Sequence, residues 1–178
     1  MQYKGIKFEA IMATPGAGKS YLCDRYDIFV DADEVKLKCK YIVPEGITRT
    51  ELEKTKGKRR FPLRDGDVWA ETEKILDKAR EQGKIIVASP QPEFFEYFET
   101  RGIPFCFVYQ GKDTRLDLTE RFRKRGNHKN FILKAAGEKA FECFYNKNIK
   151  EKRAAVKYEF SQGEYLADII RVQFGFEY

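Results

Sequence analysis

The chain has 178 residues, of which 42% are hydrophobic and 15% aromatic, so it is long enough to form one domain with a substantial apolar core. No apolar run approaches the roughly 18 residues that a membrane-spanning helix requires, so we expect no membrane partner. The formal net charge of +6 favours anionic partners but does not choose between nucleotides and nucleic acid.

Predicted strands and helices alternate along the chain. A first strand (residues 5–12) precedes a helix that opens at residue 19, and a short second strand (residues 27–31) ends in acid. The other predicted elements follow a mixed polar region (32–66): helix 68–82, strand 85–88, helix 92–100, strand 105–109, helices 113–125 and about 129–149, strand 156–160 and helix 165–173. This alternation predicts an α/β fold, in which helices cover both faces of a parallel sheet of about five strands within a single domain over residues 1–178.

The cysteines are scattered along the chain and form no Cys-x-x-Cys pair: Cys23, Cys39, Cys106 and Cys143. Their spacing argues against a zinc site and for reduced thiols. The first residues lead directly into the first predicted strand, so we expect no signal peptide and a cytoplasmic location.

The most specific motif lies between the first strand and the first helix. Residues 13–20 read Ala-Thr-Pro-Gly-Ala-Gly-Lys-Ser, which is close to the pattern Gly-x-x-x-x-Gly-Lys-Ser/Thr, with Ala13 in place of the first glycine. Backbone N–H groups of such a loop cradle phosphate, the lysine reaches the β- and γ-phosphates, and the serine binds Mg²⁺. We therefore expect binding of ATP with Mg²⁺ by these residues: Pro15, Gly16, Ala17, Gly18, Lys19 and Ser20. The alternative is a chance glycine turn before a helix.

Acidic residues follow the second predicted strand. Asp31 and Asp33 alternate, so an extended backbone would direct both carboxylates to one side. The carboxyl ends of parallel strands line the ligand crevice of α/β sheets. A carboxylate there serves Mg²⁺, or orients and deprotonates an attacking hydroxyl. The alternative is a solvated acidic loop that caps the next helix.

Two arginines end the predicted helix 113–125. Arg121 and Arg125 are four residues apart and share one helix face, which suits a transferring phosphoryl group. The alternative is a basic last turn that the helix dipole favours. His128, the single histidine, follows this turn, and we interpret it as a helix cap or a surface residue rather than a base.

The densest basic stretch covers residues 54–64, from Lys54 to Arg64. It could bind the phosphate of a second substrate or a nucleic-acid backbone. The alternative is a solvated charged loop. Trp69, just beyond it, lies on the apolar stripe of the next predicted helix and is expected to pack in the core.

Together these motifs resemble the nucleoside and nucleotide kinase group of P-loop proteins, and residues 105–132 are similar to small phage-encoded nucleotide kinases. The resemblance implies a three-layer α/β/α P-loop fold, with an acceptor-binding and mobile region over residues 32–66 and a small Arg-bearing lid over residues 111–130. It assigns Asp31 to Mg²⁺ and Asp33 to the acceptor. Its lid arginines correspond to Arg121 and Arg125.

The resemblance implies an ATP-dependent phosphotransferase that moves the γ-phosphoryl group of Mg-ATP to a nucleotide, in the first place a deoxynucleoside monophosphate. Two alternatives stay open. The net charge and the basic stretch favour a kinase that acts on a hydroxyl of DNA or RNA. Ser89, which stands where many P-loop enzymes place an acid after the third strand, favours a non-catalytic nucleotide-binding switch.

Overall fold

The structure, a computed structural model, describes residues 1–47 and 61–177. It opens with an antiparallel hairpin, formed by β1 (Gln2–Tyr3) and β2 (Ile6–Lys7). Lys4 and Gly5 have positive φ angles of 50° and 77°, as a tight two-residue hairpin turn requires. The predicted strand over residues 5–12 is therefore wrong in its N-terminal half, and the main sheet is entered only at β3 (Ala10–Ala13).

Five parallel strands form the main sheet, in the order β4-β5-β3-β6-β7. The strands that follow β3 are β4 (Phe29–Asp31), β5 (Ile85–Ala88), β6 (Phe105–Gln110) and β7 (Val156–Phe160). Every residue of β3, β5 and β6 is buried, because helices cover both faces of a central parallel strand. The prediction of a parallel sheet of about five strands is confirmed.

The helices follow the strands in alternation: α1 (Lys19–Arg25), α2 (Ala32–Lys40), α3 (Val68–Glu81), α4 (Pro92–Thr100), α5 (Arg115–Lys124), α6 (Lys129–Ala136), α7 (Glu138–Ile149) and α8 (Leu166–Asp168). A 3₁₀ turn (Lys112–Thr114) precedes α5, and a π-helical turn (Ile169–Gln173) continues α8.

Two apolar cores separate the three layers. One core joins the sheet to α1 through Leu22 and to α5 through Leu118 and Phe122. The other core joins the opposite face to α3 through Leu76 and to α4 through Phe98, among other side chains. The chain is therefore an α/β protein with helices on both faces of the sheet. None of the helices among the described residues has the length and apolar character to cross a membrane.

Two helices differ from the sequence prediction. Residues 32–40, predicted only as part of a mixed polar region, form α2, which Asp31 caps. The predicted helix over residues 129–149 is two helices, α6 and α7, that meet at Gly137. A Cβ atom at Gly137 would overlap the backbone carbonyl of Leu133, so this sharp break requires glycine.

The apolar packing of α4 sets a test of this fold. Phe98 is 0% exposed and its ring centroid lies 5.2 Å from that of Phe105 on β6. We expect Phe98→Ala to lower the free energy of unfolding by about 3–5 kcal/mol, because it leaves a cavity in the core. Leu116→Ala, at a position 68% exposed, is the control and should change the unfolding energy by less than about 0.5 kcal/mol. Equal losses in urea denaturation would contradict the assignment of Phe98 to the core.

Candidate functional site

Residues 13–20 form the loop between β3 and α1, and two glycines set its course. Gly16 and Gly18 have φ angles of 88° and 100°, a region that side chains rarely adopt. A Cβ atom at Gly16 would overlap Leu118 of α5, and one at Gly18 would lie 3.3 Å from the ring of Tyr165. The loop therefore requires glycine at both positions, for its backbone conformation and for its close packing.

The carbonyl groups of this loop are paired with other parts of the chain. Lys19 Nζ donates to the Ala13 carbonyl over 2.9 Å, and Arg121 Nη1 donates to the Gly16 carbonyl over 3.1 Å. The Leu166 N–H donates to the Ala17 carbonyl over 2.7 Å. These bonds hold the loop from its carbonyl side.

Two N–H groups of the same loop differ from its other backbone groups, whereas the Ala17 N–H donates to the Thr14 carbonyl over 3.3 Å. Gly16 and Gly18 are buried, and within residues 1–47 and 61–177 no acceptor pairs with the backbone N–H of either glycine. The hydroxyl of Thr14, which is 3% exposed, also lacks a partner in that part of the chain. Buried donors without acceptors are rare in proteins and mark a place where a ligand can pair with them. The loop thus has the donors that an anion needs.

Arg121 lies beside the loop rather than in an exposed lid. It is 6% exposed, and its Nη2 atom lies 2.5 Å from Asp117 Oδ2 and donates to the Glu164 carbonyl over 2.9 Å. Its guanidinium carbon lies 3.8 Å from the ring centroid of Tyr165. Arg121 therefore connects α5 with two loops, which sequence reasoning missed because its partners are distant in the chain.

The region predicted as a lid, residues 111–130, packs against the sheet through α5. Leu118 and Phe122 are each 2% exposed. Arg125 follows α5 as its C-cap residue and is exposed. Arg121 and Arg125 thus differ sharply in burial, although they are one helical turn apart, and closure of this region over a nucleotide stays a prediction.

His128 caps α6, as predicted from the sequence. Its Nδ1 atom accepts a hydrogen bond from the Asn130 N–H over 3.2 Å. This contact gives the histidine a structural role.

Asp31 and Asp33 have different partners. Asp31 is buried and caps α2, because its Oδ1 atom accepts the N–H groups of Asp33 and Glu34 over 3.0 and 3.2 Å. The alternative, a solvated acidic loop that caps the next helix, is therefore right about the cap but wrong about solvation at Asp31, which is 4% exposed. Its assignment to Mg²⁺ stays a prediction.

Asp33 is bound instead to the segment that follows β5. Its Oδ1 atom accepts the Ser89 hydroxyl over 2.5 Å and the Gln91 side-chain amide over 2.7 Å, and its Oδ2 atom accepts the Ser89 N–H over 3.1 Å. Ser89 occupies the position after the strand at which many P-loop enzymes have an acid. Asp33, which is hydrogen-bonded to Ser89, brings a carboxylate next to that position. Sequence reasoning noted Ser89 but missed Gln91.

Lys36 completes what we call the Asp33 cluster (Asp33, Lys36, Ser89, Gln91 and Glu93). Its Nζ atom lies 3.0 Å from Gln91 Oε1 and 3.1 Å from Glu93 Oε1. The pKa of the Glu93 carboxyl is lowered from its ordinary value by its own backbone N–H first and then by Lys36. Glu93 is therefore ionised near neutral pH and neutralises the Lys36 charge.

The sheet register brings the Asp33 cluster close to the loop. Ala88, the last residue of β5, pairs with Met12 of β3, so Ser89 follows β5 at the level of Ala13, the last residue of β3 and the first of the loop. Adjacent strands are about 4.8 Å apart. The loop and Ser89, which binds the Asp33 carboxylate, therefore lie at the carboxyl ends of two neighbouring strands.

The basic stretch and Trp69 were the other residues singled out in the sequence. Residues 48–60, which hold most of the basic stretch 54–64, lie outside the described residues, and Arg64 donates through Nε to the Tyr41 carbonyl over 3.0 Å. Trp69 packs against the core, with its ring 5.5 Å from that of Phe94, as its place on the helix stripe predicted.

Comparison of the chain with protein-family models finds no family that matches, and comparison with curated proteins finds no match either.

The contrast between the two arginines sets a test. We expect Arg121→Ala to lower the free energy of unfolding by about 3 kcal/mol, because it leaves Asp117 without its buried partner. Arg125→Ala, at an exposed position, should lower it by less than about 0.5 kcal/mol. Urea denaturation of both variants measures the difference, and similar losses would contradict the structural role given to Arg121.

Proposed function

We propose that the chain is a phosphotransferase that moves the γ-phosphoryl group of Mg-ATP to a nucleotide or nucleic-acid acceptor. The observation that carries the proposal is the loop of residues 13–20. Its positive-φ glycines, Gly16 and Gly18, have buried N–H groups without acceptors among the described residues, and Lys19 follows directly. Backbone N–H donors followed by a lysine are the groups that bind the phosphates of a nucleoside triphosphate.

Lys19 is the second element of the proposal. The residue is 8% exposed, and its Nζ atom is bonded to the Ala13 carbonyl at the start of the loop. In the proposed complex, phosphate oxygens replace that carbonyl as the partner of Nζ. A fixed cation in a site that excludes water stabilises the charge that develops on the transferring group.

The residues assigned to the metal ion have suitable chemistry. Ser20 supplies a hydroxyl at the start of α1, and Asp31 supplies a carboxylate at the end of β4. Oxygen donors of this kind are those that Mg²⁺ takes in proteins. When bound, Mg²⁺ would neutralise phosphate charge.

Two candidate acceptors follow from the sequence, and one has support from an observed contact. A deoxynucleoside monophosphate is the acceptor that the resemblance implies. A hydroxyl of DNA or RNA is favoured by Asp33, because a carboxylate held at the edge of the sheet beside the loop can take a proton from an attacking hydroxyl. In both cases Arg121 holds the loop, and Arg125 acts at the exposed end of α5.

Lys19→Ala tests the assignment of the loop. We expect transfer from γ-labelled ATP to fall below detection, because the cation that contacts the transferring phosphate is lost, while the melting temperature stays within a few degrees. Lys74→Ala, an exposed lysine on α3, is the matched control and should keep full activity. Near-normal transfer by Lys19→Ala would exclude this loop as the phosphate site.

Arg125→Ala tests the assignment of the exposed arginine. We expect kcat to fall by about tenfold or more, with the Kd for ATP changed by less than about twofold, because the guanidinium acts mainly in the transition state. Steady-state kinetics and equilibrium titration with ATP separate the two quantities. Equal losses in both would show instead that Arg125 binds the ground-state phosphates.

A further inference from the structure

We infer that the group that receives the phosphoryl is a sugar hydroxyl rather than a phosphate. Ser89 and Gln91 are then positioning residues that hold Asp33 where it can accept the proton of that hydroxyl. The inference deepens the proposed function and rests on it. It is carried by the hydrogen bonds of the Asp33 cluster, the place of that cluster beside the loop, and the charge of its members.

The hydrogen bonds distinguish the two oxygens of Asp33. Oδ1 accepts two bonds, from the Ser89 hydroxyl and the Gln91 amide, whereas Oδ2 accepts one bond, from the Ser89 N–H. A carboxylate oxygen has two acceptor positions. Oδ2 is therefore the oxygen that retains a position for a further donor.

Gln91 is itself held in one orientation. Lys36 Nζ is only a donor, so the amide atom that faces it at 3.0 Å is Oε1, and the Nε2 group faces Asp33. Lys36 is held in turn by Glu93 and lies 5.7 Å from the ring centroid of Phe94. This chain of contacts leaves Asp33 little freedom to rotate.

The charge of the cluster disfavours a phosphate acceptor. An incoming phosphate would add negative charge next to the Asp33 carboxylate, and it needs fixed cations for binding. The cation of this cluster, Lys36, is already 3.1 Å from Glu93 Oε1. A hydroxyl is neutral and carries a proton that Oδ2 can accept, so it can bind next to Asp33 without charge repulsion.

In this transfer one P–O bond forms and one breaks. The acceptor oxygen forms a bond to the γ-phosphorus of the nucleoside triphosphate, and the bond from that phosphorus to the β–γ bridging oxygen breaks. The bonding electron pair leaves with the nucleoside diphosphate. The hydroxyl proton passes to Asp33 Oδ2 and from there to solvent after the product leaves.

Product identity tests the acceptor class with the wild-type chain. γ-Labelled ATP is offered with nucleosides, nucleoside 5′-monophosphates and short DNA and RNA strands that carry free terminal hydroxyls. We expect label in a new phosphate monoester, and the arms distinguish a free nucleoside from a strand end as the source of the hydroxyl. Label in a nucleoside diphosphate would overturn the inference while the proposed function stands. No transfer to any acceptor would refute the proposed function, and the inference with it.

Variants of the cluster test the positioning roles on whichever hydroxyl is labelled. We expect Asp33→Asn to lower kcat by about 100-fold. Ser89→Ala and Gln91→Leu should each lower kcat by about tenfold, with the KM for ATP changed by less than about twofold. Ser89→Thr, which keeps the hydroxyl, should retain activity. In the Asp33→Asn background, removal of Ser89 or Gln91 should cause no further loss, since both act through Asp33.

A matched control separates this effect from general damage to α4. Tyr97→Phe, on the same helix, removes a hydroxyl that donates to Asp77 of α3 over 2.9 Å, and neither residue belongs to the Asp33 cluster. It should leave kcat unchanged. Losses of kcat that persist in the Asp33→Asn background would overturn the positioning roles, even if the acceptor is a hydroxyl.

Discussion

The guanidinium of Arg121 connects the segments that form the candidate site. It donates to the Gly16 carbonyl and to the Glu164 carbonyl, and it pairs with Asp117 on its own helix. Pairing of donors stabilises a buried cation, and both terminal nitrogens of this guanidinium are paired. Because these acceptors belong to the loop after β3, the segment after β7 and α5, their pairing with one side chain holds the three segments together.

The carbonyl groups of the loop are more fully paired than the N–H groups of its two glycines. Its carbonyl groups meet Arg121, Lys19 and the Leu166 N–H, whereas the N–H groups of Gly16 and Gly18 meet no acceptor in the described parts of the chain. A loop held in this way presents donors without a large rearrangement. Preorganised donors of this kind stabilise anionic charge more strongly than donors that must first reorient.

The start of α2 gives Asp31 and Asp33 different hydrogen-bond partners. Asp31 uses Oδ1 to cap α2, and the helical turn that begins there carries Asp33 toward Ser89. The sequence pattern suggested that both carboxylates face one side, which requires an extended backbone. Since the backbone becomes helical after Asp31, the two side chains have separate partners instead.

Local patterns in the sequence were sufficient for the strands β5 and β7, the helix α4 and the parallel character of the sheet, because apolar periodicity and glycine or proline boundaries act over a few residues. The glycine-rich loop and the acids after the second strand were also evident. The contacts of Arg121 with Gly16 and of Asp33 with Ser89 were not, since they join residues 105 and 56 positions apart. Only the packing of the sheet and its helices brings such residues together, so the tertiary structure alone decided which of these side chains are held in the interior and which stay exposed at its edge.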